Sequence, residues 1–273
     1  MGEYDEFGAA EREGWSNPQI AERYVAEFAT AADQAMAGLV AALPLEAGQS
    51  VLDLCCGQGT MSALLSQRGF RVTGLDISAS MLAIARRQAP QVDFQEGDAQ
   101  NLPFHDASFD AVVSNMGIMH LPDQPRALAE ARRVLRPGGI LAITAWCGPD
   151  VSASFRIALQ AIQAHGDPSV SAPPQPDFFQ FARREGAEDM LGEAGFELVA
   201  HEMIECAWQL AHAWELFEIY AEATVRMRMI ISLQPKDATA AIRQAMTQAV
   251  ERDHAAKGGY RVPIPAALVI ARA

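Results

Sequence analysis

Three aspartates and one glycine bend are the residues of this chain best placed for chemistry. Asp53 lies in the apolar run Val51-Leu52-Asp53-Leu54, which leads into Cys55-Cys56-Gly57-Gln58-Gly59-Thr60. Glycines let a backbone turn sharply and approach a ligand with no Cβ in the way. From Thr60 the apolar spacing Met61, Leu64, Leu65 is helical. Strand, glycine turn and helix in that order put a ligand at the carboxyl end of the strand, beside the helix N-terminus. Asp76 ends a second apolar run, nineteen positions after Gly57. A carboxylate there accepts hydrogen bonds from both hydroxyls of a ribose; the alternative is a helix-start charge favoured by the macrodipole. Gly97-Asp98-Ala99 follows a third run, where Gly-Asp is also common in ordinary turns.

The elements that must position these residues are legible between Ser50 and Trp146. Strands Val51 to Leu54, Arg71 to Leu75, Val92 to Gln95, Phe109 to Ser114 and Ile140 to Ala145 alternate with helices, one running from Thr60 to Arg68 and another from Ala127 to Leu135. Such alternation demands a parallel sheet covered by helices on both faces. Residues 1–48 read as an N-terminal helical arm, with Asn17 as N-cap, Pro18 in the first helical position and Pro44 closing the run. Tyr4, Phe7, Trp15 and Tyr24 either pin that arm to the core or touch a ligand. After Trp146 a Pro-rich linker (Pro173 to Pro176), a helix Glu188 to Ala194 and a strand Phe196 to Cys206 follow. Then come about fifty residues of helical pattern and a last strand, Pro265 to Ala271.

The glycine turn resembles motif I of the class I S-adenosylmethionine (SAM) dependent methyltransferases, D-x-G-x-G-x-G, with Asp53, Gly57 and Gly59 matching and Cys55 standing where the first glycine usually lies. Gly97-Asp98-Ala99 and Leu135-Arg136-Pro137-Gly138-Gly139 are similar to further motifs of that family, in the group that includes ubiquinone/menaquinone C-methyltransferases. The resemblance covers residues 45–146 in detail. It implies a Rossmann-like, doubly wound α/β fold with a seven-stranded, mostly parallel sheet, an antiparallel last strand, and a helical lid from the arm and from an insertion between the last two strands. The corresponding division is 1–48 arm, 49–206 with 260–273 catalytic domain, and 207–259 lid insertion. It also implies SAM as cofactor, with S-adenosylhomocysteine as product, and a small-molecule acceptor. Asp76 and Ile77 would meet the ribose and adenine, and Asp98 and Ala99 the adenine edge. Asp53, the backbone from Cys55 through Gln58 to Gly59, Asn115 and Met116 would meet the methionine tail, unless Asp53 is a structural carboxylate. Tyr24 and Met81 complete the cofactor set.

Methyl transfer needs mainly a nucleophile held behind the methyl group and water excluded. His120, past the fourth strand, is the candidate base, against the alternative of a structural histidine. Trp15, Met119, Trp146, Phe178 and Phe179 are candidates for an apolar acceptor pocket, or plain core. A net charge of -13 argues against nucleic-acid partners. The four cysteines have no metal spacing, so no metal is expected. No apolar run reaches the roughly 20 residues of a membrane span, and the acidic start lacks a signal peptide, so a cytoplasmic protein is expected. The rival readings are an NAD(P)-dependent oxidoreductase and a non-catalytic SAM-binding module. Against the first, Ser62 stands where a dinucleotide fingerprint has its third glycine. Oligomeric state is left open.

Overall fold

The computed structural model describes residues 2–273. Its strands are β1 (Ser50–Leu54), β2 (Arg71–Asp76), β3 (Asp93–Glu96), β4 (Phe109–Asn115), β5 (Leu135–Trp146), β6 (Glu197–Ile204), β7 (Ala207–Leu210), β8 (Ala255–Ala256), β9 (Gly259–Pro263) and β10 (Ala266–Arg272). Seven form one sheet in the order β3-β2-β1-β4-β5-β10-β6. All neighbours are parallel except at β10, which runs antiparallel to both β5 and β6. This is the expected Rossmann-like α/β fold, with the final antiparallel strand inserted inside the edge. Strand order reverses between β1 and β4, and in open α/β sheets the crevice at such a reversal, outside the carboxyl ends, is where ligands bind.

Burial on both faces explains the unbroken apolar strands. Along β1, Val51 joins Met36, Leu39, Met61 and Leu65 on one face, while Leu52 and Leu54 join Phe28, Leu128 and Val134 on the other. That is the period of two of a pleated strand, with both faces dry. Among the described residues no helix is long and apolar enough to cross a membrane.

The N-terminal arm is more ordered than its composition announces. A helix α1 (Asp5–Ser16) precedes the expected entry at Asn17, whose side chain accepts from the Gln19 N–H. The chain then stays helical from Pro18 to Ala41, but not uniformly: a π-helical turn covers Tyr24–Phe28 and a 3-10 turn covers Asp33–Ala35. Two glycines let α1 lie close to its neighbours. A Cβ on Gly8 would come within 2.8 Å of Pro122, and one on Gly14 within 2.5 Å of Val225.

The insertion departs from the helical expectation at both ends. Trp208 lies in β7, and β7-β9-β8 form a small second sheet. The indole is fully buried and its Nε1 donates to Ser154 Oγ at 2.9 Å, which ties this sheet to the main core.

Close packing at the switch point gives a test. Cys55 has φ +58°, the left-handed region that favours glycine, and a Cβ on Gly117 would lie 2.4 Å from the Cys55 Cβ. Gly117→Ala is expected to lower the melting temperature by roughly 3–10 °C. Because the tightest clash is with the Cys55 side chain, with Ser114 Oγ next at 2.9 Å, Cys55→Gly in the same chain should restore part of the loss. Additive effects in a double-mutant cycle would contradict this packing.

Candidate active site

The carboxyl ends of β1, β2 and β4 and the two N-terminal helical segments enclose a cavity of about 840 Å³. Small-molecule sites run to roughly 300–1,000 Å³, so there is room for a nucleoside cofactor and a small acceptor together. Of the sequence-expected cofactor residues, Tyr24, Asp53, Cys55, Gly57, Gln58, Asp76, Ile77, Met81, Asp98, Ala99, Asn115 and Met116 all line it. Gly59 does not. Its φ is +81°, and a Cβ there would meet Ala85 and Phe94 at 2.9 Å. Gly59 therefore lets its helix pack against the next one, while Gly57 (φ +52°) has open space where a Cβ would be.

Asp76 is held by backbone. Its Oδ2 accepts from the Gly57 N–H and its Oδ1 from the Ser78 N–H, both at 2.8 Å. Burial raises its pKa, against these hydrogen bonds and the charge of His120, which lower it. A carboxylate has about four lone-pair sites. Two are used, one on each oxygen, and the remainder suit a vicinal diol. Asp53 is more deeply buried and takes a 2.5 Å hydrogen bond from Ser62 Oγ. Burial pushes its pKa up to about 7 despite that bond. Asp98 lies at the rim, bonded to the Gln100 backbone and side chain and to Arg12. Burial raises its pKa, but these partners more than offset it and hold the carboxyl below its ordinary value.

The opposite wall was only partly legible from sequence. Helix α1 contributes Gly8, Glu11, Arg12 and Trp15, and the following helical run contributes Ala32, Asp33 and Met36 beside Tyr24. Glu11 is buried and bridges two aromatic groups, accepting from Trp15 Nε1 and contacting His120 Nδ1, each at 2.9 Å. Ser78 Oγ donates to the Trp15 carbonyl at 2.6 Å, anchoring the end of α1 over the β2 tip. The one sequence signal for Asp33 was its position as a lone charge among Ala29, Ala31, Ala32 and Ala35.

His120 and Trp15 reach the cavity, but the other acceptor candidates do not line it. Met119 points from its 3-10 turn into the core, and Trp146 is buried at the end of β5 against Phe28. Phe178 packs edge-on against His120, with ring centroids 5.3 Å apart, and Phe179 packs against Phe178. These two rings support His120 from behind. None of the cavity lining comes from the insertion, which instead backs α1 through Val225.

The family described as "Methyltransferase domain" matches residues 52–143. A demethylmenaquinone methyltransferase of Beutenbergia cavernae is 35% identical over 169 residues, covering 59% of this chain and 70% of that protein. The chain belongs to this methyltransferase family. A malonyl-[acyl-carrier protein] O-methyltransferase of Pectobacterium atrosepticum is 44% identical over 104 residues, 38% of this chain and 41% of that one. The chain spans less than half the length of the first curated relatives it matches, 45%, 41% and 43%. A solved Bacillus halodurans structure shares the fold at a TM-score of 0.58 and 21% identity, over 87% of this chain and 97% of that one.

Two measurements test the electrostatics of this cavity. Glu11→Gln removes the charge that ties α1 to His120, a charged hydrogen bond of about 1.5–3 kcal/mol. Amide exchange across Asp5–Ser16 should accelerate about tenfold or more while β2 keeps its protection; unchanged exchange in α1 would contradict the bridge. Asp53 has a folded pKa above its unfolded value, so its contribution is present below the ordinary carboxyl range and lost as pH rises through about 7. Relative to wild type, ligand-free Asp53→Asn should therefore gain several degrees of melting temperature between pH 5 and pH 8. A constant difference across that range would contradict the burial of this charge.

Proposed function

We propose that this chain transfers a methyl group from SAM to a small-molecule acceptor inside the cavity. The observation that carries the reading is Asp76: a buried carboxylate, fixed by two backbone N–H groups, with one lone-pair site left on each oxygen at the edge of a nucleoside-sized cavity. In this reading the two ribose hydroxyls complete it. Ile77 and Ala99 border the adenine, and Asp98 serves the exocyclic amine while Arg12 closes the rim. Asp53 and the backbone at Cys55 and Asn115 take the methionine tail; the Asn115 side chain is already committed to Thr144 and to the Ala32 carbonyl. When bound, SAM supplies an electrophilic methyl group on a sulfonium. The chain's own part is then to orient the acceptor and exclude water, and α1, latched by Glu11, Trp15 and Ser78, is the element that covers the site.

The proposed division follows the same logic: 1–48 as covering arm, 49–206 with 260–273 as catalytic domain, and 207–259 as the insertion that braces the arm. His120, with Nδ1 committed to Glu11, is proposed to hold the lid and border the acceptor. Relatives named for demethylmenaquinone and for malonyl-[acyl-carrier protein] each match about two fifths of this chain, 41% and 38%; in this reading the strand tips hold the cofactor and the opposite wall decides the acceptor. Against the nicotinamide reading stands Ser62, which fills the third-glycine position and binds Asp53.

Calorimetric titration tests the proposal: SAM should bind and NADH should not. Asp76→Asn, which keeps an oxygen for Ser78, should weaken SAM by roughly 100-fold. The wild type should also prefer adenosine over 2′,3′-dideoxyadenosine, and the variant should lose that preference. A variant that binds SAM as the wild type does would remove the ribose assignment.

A further inference from the structure

Asp33 is the cavity carboxylate whose partner the chain does not supply. It lies on the helical wall with Tyr24, Ala32 and Met36, facing the strand tips. Its Oδ1 is buried and has no hydrogen-bond partner among the described residues. The other aspartates of the site are satisfied: Asp53 by Ser62, Asp76 by Gly57 and Ser78, Asp98 by Gln100 and Arg12. A buried acceptor left without a donor is destabilising, more so when charged, so an occupant whose donor reaches the Asp33 carboxylate relieves that cost.

Local backbone geometry singles out the same residue. Within the continuous helical run from Pro18 to Ala41, the π-helical turn begins at Tyr24 and the 3-10 turn at Asp33. Both departures from α geometry start at cavity-lining residues, and mid-helix departures of this kind frequently mark functional positions. Burial raises the Asp33 carboxyl to about 6, so it is chiefly ionised at neutral pH and acts as an acceptor. Burial first, then the charges of Asp33 and Asp76, raise the Tyr24 phenol, which stays protonated. Around this pair the wall is apolar and polarisable: Trp15 stacks edge-on against Tyr24 at 5.1 Å, and Met36, Met61 and Met116 complete it. Such a lining suits an aromatic ring.

We propose that Asp33 selects the acceptor, its carboxylate taking a hydrogen bond from the hydroxyl of a neutral aromatic alcohol seated between Tyr24, Met36 and Met116. This rests on the strand-tip wall belonging to SAM, whose ribose, adenine and methionine tail find their partners there without Asp33. The same carboxylate repels an acceptor that arrives as an anion, so one residue sets both the donor requirement and the charge preference of the site.

The test uses the full chain loaded with S-adenosylhomocysteine and two probes: 1-naphthol, neutral at neutral pH, and 2-hydroxy-1,4-naphthoquinone, which is ionised there. Asp33→Asn should weaken 1-naphthol about tenfold or more, strengthen the naphthoquinone anion, and leave S-adenosylhomocysteine affinity unchanged. Asp33→Ser, which withdraws the group from the cavity, should shift both probes the same way as Asn. A parallel loss of S-adenosylhomocysteine affinity would make Asp33 a cofactor ligand and overturn the proposal. So would equal shifts for the two probes, or no saturable binding of 1-naphthol by the wild type. Failure of the underlying methyltransferase reading looks different: wild-type protein would bind no S-adenosylhomocysteine at all, before any acceptor is added.

Discussion

The hydrogen bond from the Gly57 N–H to Asp76 Oδ2 is the constraint on which the site depends. It joins the glycine turn after β1 to the tip of β2, two segments that parallel pairing brings side by side (Leu54 opposite Leu75). A carboxylate buried at this depth is costly unless hydrogen-bonded. Two backbone donors meet part of that cost and fix the side chain in one orientation. Positive φ at Cys55, Gly57 and Gly59 curls the turn so that the Gly57 N–H faces the carboxylate. The cysteine bears strain of roughly 1–2 kcal/mol that a glycine would avoid, which is the physical content of its departure from the glycine pattern.

From that junction the rest of the architecture follows as cover. Strand order reverses beside β1, which opens a crevice at the carboxyl ends, and a chemistry that must exclude water needs the crevice roofed. The roof is made by the N-terminal arm, and it is held at three kinds of contact: the buried Glu11 between Trp15 and His120, the Ser78 hydroxyl on the Trp15 carbonyl, and the close approaches at Gly8 and Gly14. The insertion does not reach the cavity and acts at one remove, by supporting α1. Acidic groups dominate the interior, and most are paired within the chain, which makes an unpaired carboxylate on the roof informative.

The sheet was readable from the chain because both-face burial writes continuous apolar runs, and because glycine turns and prolines mark where those runs stop. The strand-tip residues were readable for the same reason: Asp53, Gly57, Asp76 and Asp98 occupy fixed offsets from those runs. The arm was expected as a lid, but the detail of that roof escaped. Helix α1 is polar and short of aliphatic residues, its two packing glycines look like helix breakers, and Glu11 looks like one of many surface acids until folding buries it. Asp33 lies in an alanine-rich stretch whose departure from α geometry has no sequence marker. The acceptor candidates Met119 and Trp146 were assigned by proximity in sequence to β4 and β5, but side-chain direction sends both into the core. Trp208 was counted as helical because its neighbours downstream are; pairing with β9, a contact distant in sequence, makes it a strand.

A crystal structure with S-adenosylhomocysteine tests the central claim most directly. Both ribose hydroxyls are expected on the Asp76 carboxylate, with the Gly57 and Ser78 bonds retained and α1 closed over the nucleoside. A ligand bound elsewhere, or an Asp76 that keeps only its two backbone partners while the nucleoside lies outside the α1 roof, would contradict it.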